Sequence, residues 1–218
     1  MSIKKKFYYP EYLSGKNILV MGLGLHGGGI GTVKFLARGQ NRITVTDLRP
    51  AKELAASLRQ LKGIKNLRWR LGRHEAEDFE KTDLIIKGPG VRPDSEFLKI
   101  ARKKNIPVLT DIGIFLQECP GRIIGVTGTR GKSTAAFLIW KLLQTKLKRV
   151  HLAGNIRRSV LELLSEVKKE DWVVLELSSF QLQDLEDSGV KVSGKPEIAV
   201  LTNLLPDHLN WHRNFSMR

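Results

Sequence analysis

The run Ile123-Ile-Gly-Val-Thr-Gly-Thr-Arg-Gly-Lys-Ser-Thr134 restricts the fold of this 218-residue chain more than any other stretch. An apolar segment stops at a glycine turn, and the turn ends in Lys-Ser-Thr. Gly128 and Gly131 let the backbone fold so tightly that successive N–H groups face one anion. A helix starting near Lys132 would add the positive end of its dipole. In such a phosphate cradle Lys132 reaches the outer phosphates and Ser133 offers its hydroxyl to a magnesium ion. The spacing departs from the strict G-x-x-x-x-G-K-[ST] form, because Val126 stands five positions before Gly131.

A second glycine turn opens the chain. The apolar run Asn17–Met21 reads as a buried strand, Gly22-Leu-Gly24-Leu25-His26-Gly27 as a turn, and the residues through Ile30, Val33, Phe35 and Leu36 as a helix. Asp47 closes the next strand, Arg42–Thr46, twenty residues past Gly27, so the dinucleotide fingerprint is met in spacing and in context. That fingerprint specifies a diphosphate above a helix N-terminus beside an acidic acceptor. NAD, a UDP-sugar and a mononucleotide all supply those features, and glycines serving helix–strand packing remain the plainer reading.

Further strands are expected at 67–71, 83–87 and 107–109, with helices from Pro50 to Leu61 and from Ser95 to Lys104. Residues 111–121 read as a connecting passage, and the turn chemistry of Cys119-Pro-Gly121 marks the domain boundary. Beyond it come strands at 122–126, 149–152, 172–177 and 198–202, separated by helices at 132–147 and 156–167. Alternating strands and helices predict an α/β protein of parallel sheets covered on both faces. The expected organisation is a Rossmann-like domain over 1–118 followed by a P-loop-type α/β domain over 119–218.

Glu176 closes the apolar strand 172–177, where a carboxylate in the sheet that carries the phosphate loop can ligate a metal. Asn203, Asp207 and His208 follow the next strand, and an Asp-His pair there can hold a metal or its water. Asn155 ends another strand at the same rim. Taken singly, each also reads as a strand end, a turn residue or a cap.

The chain has 37 basic and 22 acidic residues, for a net charge of +15, which raises the question of nucleic acid. The excess is dispersed, with 22 basic and 12 acidic residues in 1–120 and 15 and 10 in the rest, and no dense block beyond Lys4-Lys5-Lys6. No aromatic-interleaved binding signature accompanies it, so the reading is a basic surface suited to small anionic ligands, without a nucleic-acid partner. The lone Cys119 excludes an internal disulfide and fits a cytoplasmic setting. Neither a signal peptide nor an eighteen-residue apolar run is present, so membrane insertion is not expected.

Taken together, the segments closely resemble the Mur ligase family over nearly the whole chain. Gly128-Thr129-Arg130-Gly131-Lys132-Ser133 is similar to the family's ATP loop, which Thr134 continues. Gly154-Asn155-Ile156 resembles its second motif, Glu176 its magnesium glutamate, and Asn203 with Asp207-His208 its N-x-x-x-D-H element. Leu175-Glu-Leu-Ser178-Ser-Phe-Gln181-Leu182 is similar to the branch that adds D-glutamate to UDP-N-acetylmuramoyl-L-alanine, as are the early Gly-Leu-Gly-Leu and Thr46-Asp-Leu-Arg-Pro50.

The resemblance implies an ATP-dependent, magnesium-dependent amide-forming ligase, with UDP-N-acetylmuramoyl-L-alanine, D-glutamate and ATP as partners and a monomeric state. An acyl phosphate made on the alanyl carboxylate would be attacked by the D-glutamate amine. Lys132, Glu176 and His208 would be catalytic, with Ser133, Glu176 and His208 on the metal. Residues 128–134 and Asn203 would bind ATP. The UDP substrate would meet Gly22, Gly24, Leu25, His26, Gly27, Asp47, Leu48, Asn155, Ser178 and Gln181, and the NAD reading recedes. Departures from the family pattern are Arg130 for a common Asn, Leu48 for a common Thr near the uracil site, and Arg157-Arg158 for the usual Gly. The chain stops at Arg218, about ten residues past His208, so the resemblance implies that the family's carbamylated lysine and C-terminal domain lie outside it and that these 218 residues alone do not turn over. A sister or folylpolyglutamate-type ligase, and a non-catalytic nucleotide-binding module, are the alternatives.

Overall fold

The computed structural model describes residues 9–25, 27–155, 159–187, 195–208 and 211. The first half runs β1 (Asn17–Met21), α1 (Gly28–Ala37), β2 (Arg42–Asp47), α2 (Ala55–Gln60), β3 (Leu67–Leu71), α3 (Ala76–Glu80), β4 (Leu84–Lys87), α4 (Glu96–Lys103), β5 (Val108–Leu109) and α5 (Asp111–Glu118). Its five strands form one sheet in the order β3-β2-β1-β4-β5, with every pair parallel. The second half runs β6 (Arg122–Thr127), α6 (Lys132–Gln144), β7 (Val150–Gly154), α7 (Val160–Leu163), β8 (Trp172–Glu176), α8 (Ser179–Asp187) and β9 (Ile198–Leu201). These strands pair in parallel in the order β7-β8-β6-β9. The α/β expectation therefore holds, and the first sheet has the 3-2-1-4-5 strand order of a Rossmann-type fold.

The apolar runs explain the layers. In β1 every residue after Asn17 is buried, as a central parallel strand between two helical layers requires. The principal apolar core is continuous across both halves, joining Ile30 and Val33 of α1, Ile112 and Phe115 of α5, Val160 and Leu161 of α7, and Val173 of β8. Helices α1 and α7 approach closely at Gly31, where a Cβ would run into the Ser159 side chain.

Three local expectations change. The helix from Pro50 starts at Ala55, because the Pro50 carbonyl accepts from Glu53 and Leu54 and closes a turn first. The helix read over 156–167 shortens to α7, and Ile156–Arg158 lie outside the described residues. Residues 111–118, read as a connection, form α5, capped where Thr110 Oγ1 accepts from Gly113 N at 3.0 Å. No helix among the described residues is long and apolar enough to cross a membrane.

Candidate nucleotide and phosphate sites

In an open parallel sheet, ligands collect at the carboxyl ends of the strands, where the connections leave in opposite directions. In the first sheet that point lies between β1 and β4. A cleft of about 1220 Å³ opens there, lined by Gly22, Gly24, Leu25, Asp47, Leu48 and the turn Gly88–Gly90. Gly22, Gly24 and Gly27 all have positive φ, at 90°, 68° and 90°, so the turn depends on their lacking side chains. The same cleft reaches the second half at Asn155 and Gln181. Gly27, as the N-cap of α1, is not part of the lining, and His26 lies outside the described residues.

Asp47 occupies the fingerprint position, but its carboxylate builds the turn. One oxygen accepts from Gly24 N at 3.0 Å, and the other accepts from Arg49 N at 2.9 Å with the Arg49 guanidinium at 3.4 Å. Leu48 is 65% exposed beside it and offers a ligand only apolar surface.

In the second sheet, β6 ends at the phosphate loop, with β8 on one side and β9 on the other. Gly128 has a φ of 135° and lies where a Cβ would clash with Thr202 and Asn203; Gly131, with a φ of 77°, caps α6. Lys132 Nζ donates to the carbonyls of Gly128 and Thr129 at 2.8 and 2.9 Å and so stays over the loop. Ser133 and Thr134 stand exposed in the first turn of α6.

The residues after β9 clasp this loop. Asn203 accepts from Arg130 N at 3.0 Å and donates to Arg130 O at 2.9 Å, while the Thr202 hydroxyl donates to Arg130 O at 2.7 Å. Thr129 is held through Asn203 O and Leu205. The side chain of Asn203, read as an ATP contact, therefore fixes the loop's shape.

Glu176 pairs in register with Val126 on one side and Gly154 on the other, so it sits at the same sheet end as the loop. It is 1% exposed, and its Oε2 has no hydrogen-bond partner among the described residues. An unpartnered buried carboxylate oxygen costs several kcal/mol, of order 1–3 or more, and a hard cation satisfies it. The Asn155 N–H donates to the Glu176 carbonyl at 3.1 Å, which ties the cleft's far wall to this strand end.

The other residues of the motif are more dispersed. The exposed ring of His208 has Phe180 as neighbour at 4.8 Å and Asp207 at 3.8 Å, and among the described residues no cluster of three or more His, Cys, Asp or Glu could hold a metal. Ser178 and Gln181 form a reciprocal cap on α8. Ser178 N donates to Gln181 Oε1 at 2.9 Å and Gln181 N to Ser178 Oγ at 3.3 Å. The Ser-x-x-Gln spacing carried that signal.

Sequence reasoning missed two cleft residues. Lys87, at the end of β4, forms a buried ion pair with Asp184 of α8 at 2.7 Å, with the two side chains 4% and 2% exposed. Partly buried His74 also lines the cleft. Cys119 is inert, its thiol pushed up to about 11 by burial.

Two parallel sheets, each with a glycine turn at the end of its first strand, define an α/β protein of a Rossmann-like and a P-loop-like half with two candidate anion sites. Residues 126–217 match the Mur ligase middle domain, and residues 16–110 match the Mur ligase MurD-like, N-terminal domain. The chain belongs to the Mur ligase family.

It is 44% identical over 200 residues to the UDP-N-acetylmuramoylalanine--D-glutamate ligase of Roseiflexus sp. (strain RS-1), covering 92% of this chain and 42% of that protein. It is 41% identical to the same-named ligase of Borreliella afzelii (strain PKo), covering 94% and 44%. The chain thus spans about two fifths of the length of the curated relatives it matches. Among solved structures, the UDP-N-acetylmuramate-alanine ligase of Thermotoga maritima superposes with a TM-score of 0.51 at 22% identity, over 91% of this chain and 44% of that one. The UDP-N-acetylmuramate:L-alanyl-gamma-D-glutamyl-meso-diaminopimelate ligase from Neisseria meningitides gives 0.53 at 16% identity, over 92% and 64%. These two likenesses concern the fold.

Proposed function

We propose that this chain carries the UDP-substrate-binding and ATP-phosphate-binding parts of an ATP-dependent ligase that adds D-glutamate to UDP-N-acetylmuramoyl-L-alanine, with the domain junction at residues 118–119. One observation carries the reading. A single cleft runs from the glycine turn after β1 to Asn155, which is hydrogen-bonded to the strand end bearing Glu176. A substrate with its diphosphate over the turn would extend its far end toward the second sheet. The relatives' printed names supply the amino acid.

Each group has a physical role in such a reaction. The backbone N–H groups of the turn after β1 and the N-terminus of α1 hold the substrate diphosphate. Those of residues 128–132, with the Lys132 ammonium, hold the ATP phosphates, and Asn203 keeps that loop in its binding shape. Ser133 and the unpartnered Glu176 oxygen suit Mg2+, with His208 a third candidate. Magnesium, when bound, neutralises charge between two anionic reactants. The substrate carboxylate then has to meet a phosphoryl group within a dry, preorganised site, and the attacking amine comes from the amino acid.

Calorimetry on the 218-residue chain tests the reading. UDP-N-acetylmuramoyl-L-alanine is expected to bind and NAD not to bind. Tighter NAD binding would move the protein to another class of activity.

A further inference from the structure

The wall of the cleft around Asp47 has to recognise whatever sits beyond the diphosphate. Each Asp47 oxygen already accepts one backbone N–H, and the exposed side chain of Leu48 is apolar. His74, which also lines this cleft, is placed to supply a further contact. Its Nδ1 lies 2.6 Å from Thr46 Oγ1, and the Thr46 hydroxyl also lies 3.2 Å from the carbonyl of Arg73, to which it donates. A hydroxyl has one proton. With that proton on Arg73 O, the short contact requires His74 Nδ1–H as donor, which leaves Nε2 as a lone-pair acceptor.

Three further observations fit. The ring is wedged edge-on between Phe79 and Phe97, with centroids at 5.8 and 5.2 Å, so its orientation is fixed by packing. Nε2 has no partner among the described residues, and it is not among their buried unpartnered atoms. Burial pushes the imidazole's pKa below its ordinary value against the opposing pull of Asp47, which keeps the acceptor lone pair available at neutral pH.

From this geometry we infer that His74, held in its Nδ1–H tautomer by Thr46, is the residue that reads the nucleoside. Its Nε2 accepts a hydrogen bond from the ribose hydroxyl or the imide N–H of a nucleoside diphosphate bound over the Gly22–Gly24 turn. This rests on the substrate reading above and adds to it a specificity residue that the glycine fingerprint does not contain. Asp47, the acceptor the fingerprint nominates, also positions the turn through its bonds to Gly24 and Arg49.

The test uses UDP as probe, calorimetry on the intact chain, and two replacements with different reach. In His74→Asn the amide can replace Nδ1–H toward Thr46 but cannot reach the Nε2 position. In His74→Gln the terminal oxygen can. UDP affinity is expected to fall roughly fivefold in His74→Asn and to recover in His74→Gln, the size of one neutral hydrogen bond. For the unaltered chain, either 2′-deoxy-UDP or N3-methyl-UDP should show the same loss, naming the donor; no loss with either overturns the proposal.

Equal UDP affinity in His74→Asn and the unaltered chain overturns the role of His74 and leaves the substrate reading intact. No UDP binding by the unaltered chain overturns both. Nitrogen-15 NMR of the His74 ring in the free chain gives an answer that needs no variant. An Nδ1–H signal is expected, and an Nε2–H tautomer refutes the inference.

Discussion

Replacing Lys87 by methionine probes how strongly the two halves are tied across the cleft. The Lys87 ammonium donates to Asp184 Oδ2 at 2.7 Å, to Val91 O at 2.6 Å and to Gly88 O at 3.3 Å. The methionine side chain would fill similar space without the charge. Asp184, 2% exposed, would then be a buried carboxylate without its cation, a situation that costs about 3–5 kcal/mol. Loss of the Val91 contact adds about 1 kcal/mol, so Lys87→Met should lower stability by about 4–6 kcal/mol. Much of that is the penalty on Asp184, so the Lys87→Met/Asp184→Leu double variant should recover most of it.

The assay is urea unfolding of the 218-residue chain, read by tryptophan fluorescence. It has a pH signature as well. The Asp111 carboxyl, pushed up by burial and pulled down by Lys87, rises further without Lys87, so the folded state keeps a proton that the unfolded chain releases. The deficit is therefore full above the raised folded value and shrinks as pH falls toward the unfolded carboxylate value of about 4. A single variant costing less than about 1 kcal/mol, or a double variant no better than the single, would refute the reasoning.

Gly128→Ala places a Cβ against Thr202 and Asn203 at a φ of 135°; nucleotide affinity should drop at least tenfold by calorimetry, and near-parental affinity would show that the loop yields. Glu176→Gln removes a buried charge with an unpartnered oxygen, so thermal stability should hold or rise by about 1 kcal/mol while the magnesium dependence of ADP binding disappears. Retained magnesium dependence would end the metal assignment. Ser178→Ala removes the α8 cap and should cost about 1 kcal/mol in a melting curve; no measurable cost would mean that the cap is idle.

The alternation of buried strands and helices was legible because Asn17–Met21, Arg42–Asp47 and Trp172–Glu176 are apolar runs ended by glycine or acid, and such runs have few other solutions. Helix α5 was missed because the turn chemistry of Cys119-Pro-Gly121 made the passage 111–121 read as a connection, while its stability comes from burying Ile112, Ile114, Phe115 and Leu116. The phosphate loop was legible as a local pattern. Its supports at Thr202 and Asn203 were not, since they arrive from β9 by tertiary pairing. Lys87 and Asp184 lie 97 positions apart and no spacing rule joins them. Asp47 and Gln181 line the cleft and also hold backbone N–H groups, since spacing locates a side chain without saying which partners take its lone pairs.

The clasp on the phosphate loop also sets an order of events during synthesis. Thr129 and Arg130 depend on partners 72 to 76 positions later. A ribosome that has released only the first 190 residues has therefore exposed a glycine loop that still lacks its Thr202–Leu205 clasp. Nucleotide capture by the growing polypeptide has to wait until β9 has emerged and docked beside β6, and a stalled nascent chain should show this as a sharp onset of ADP retention with length.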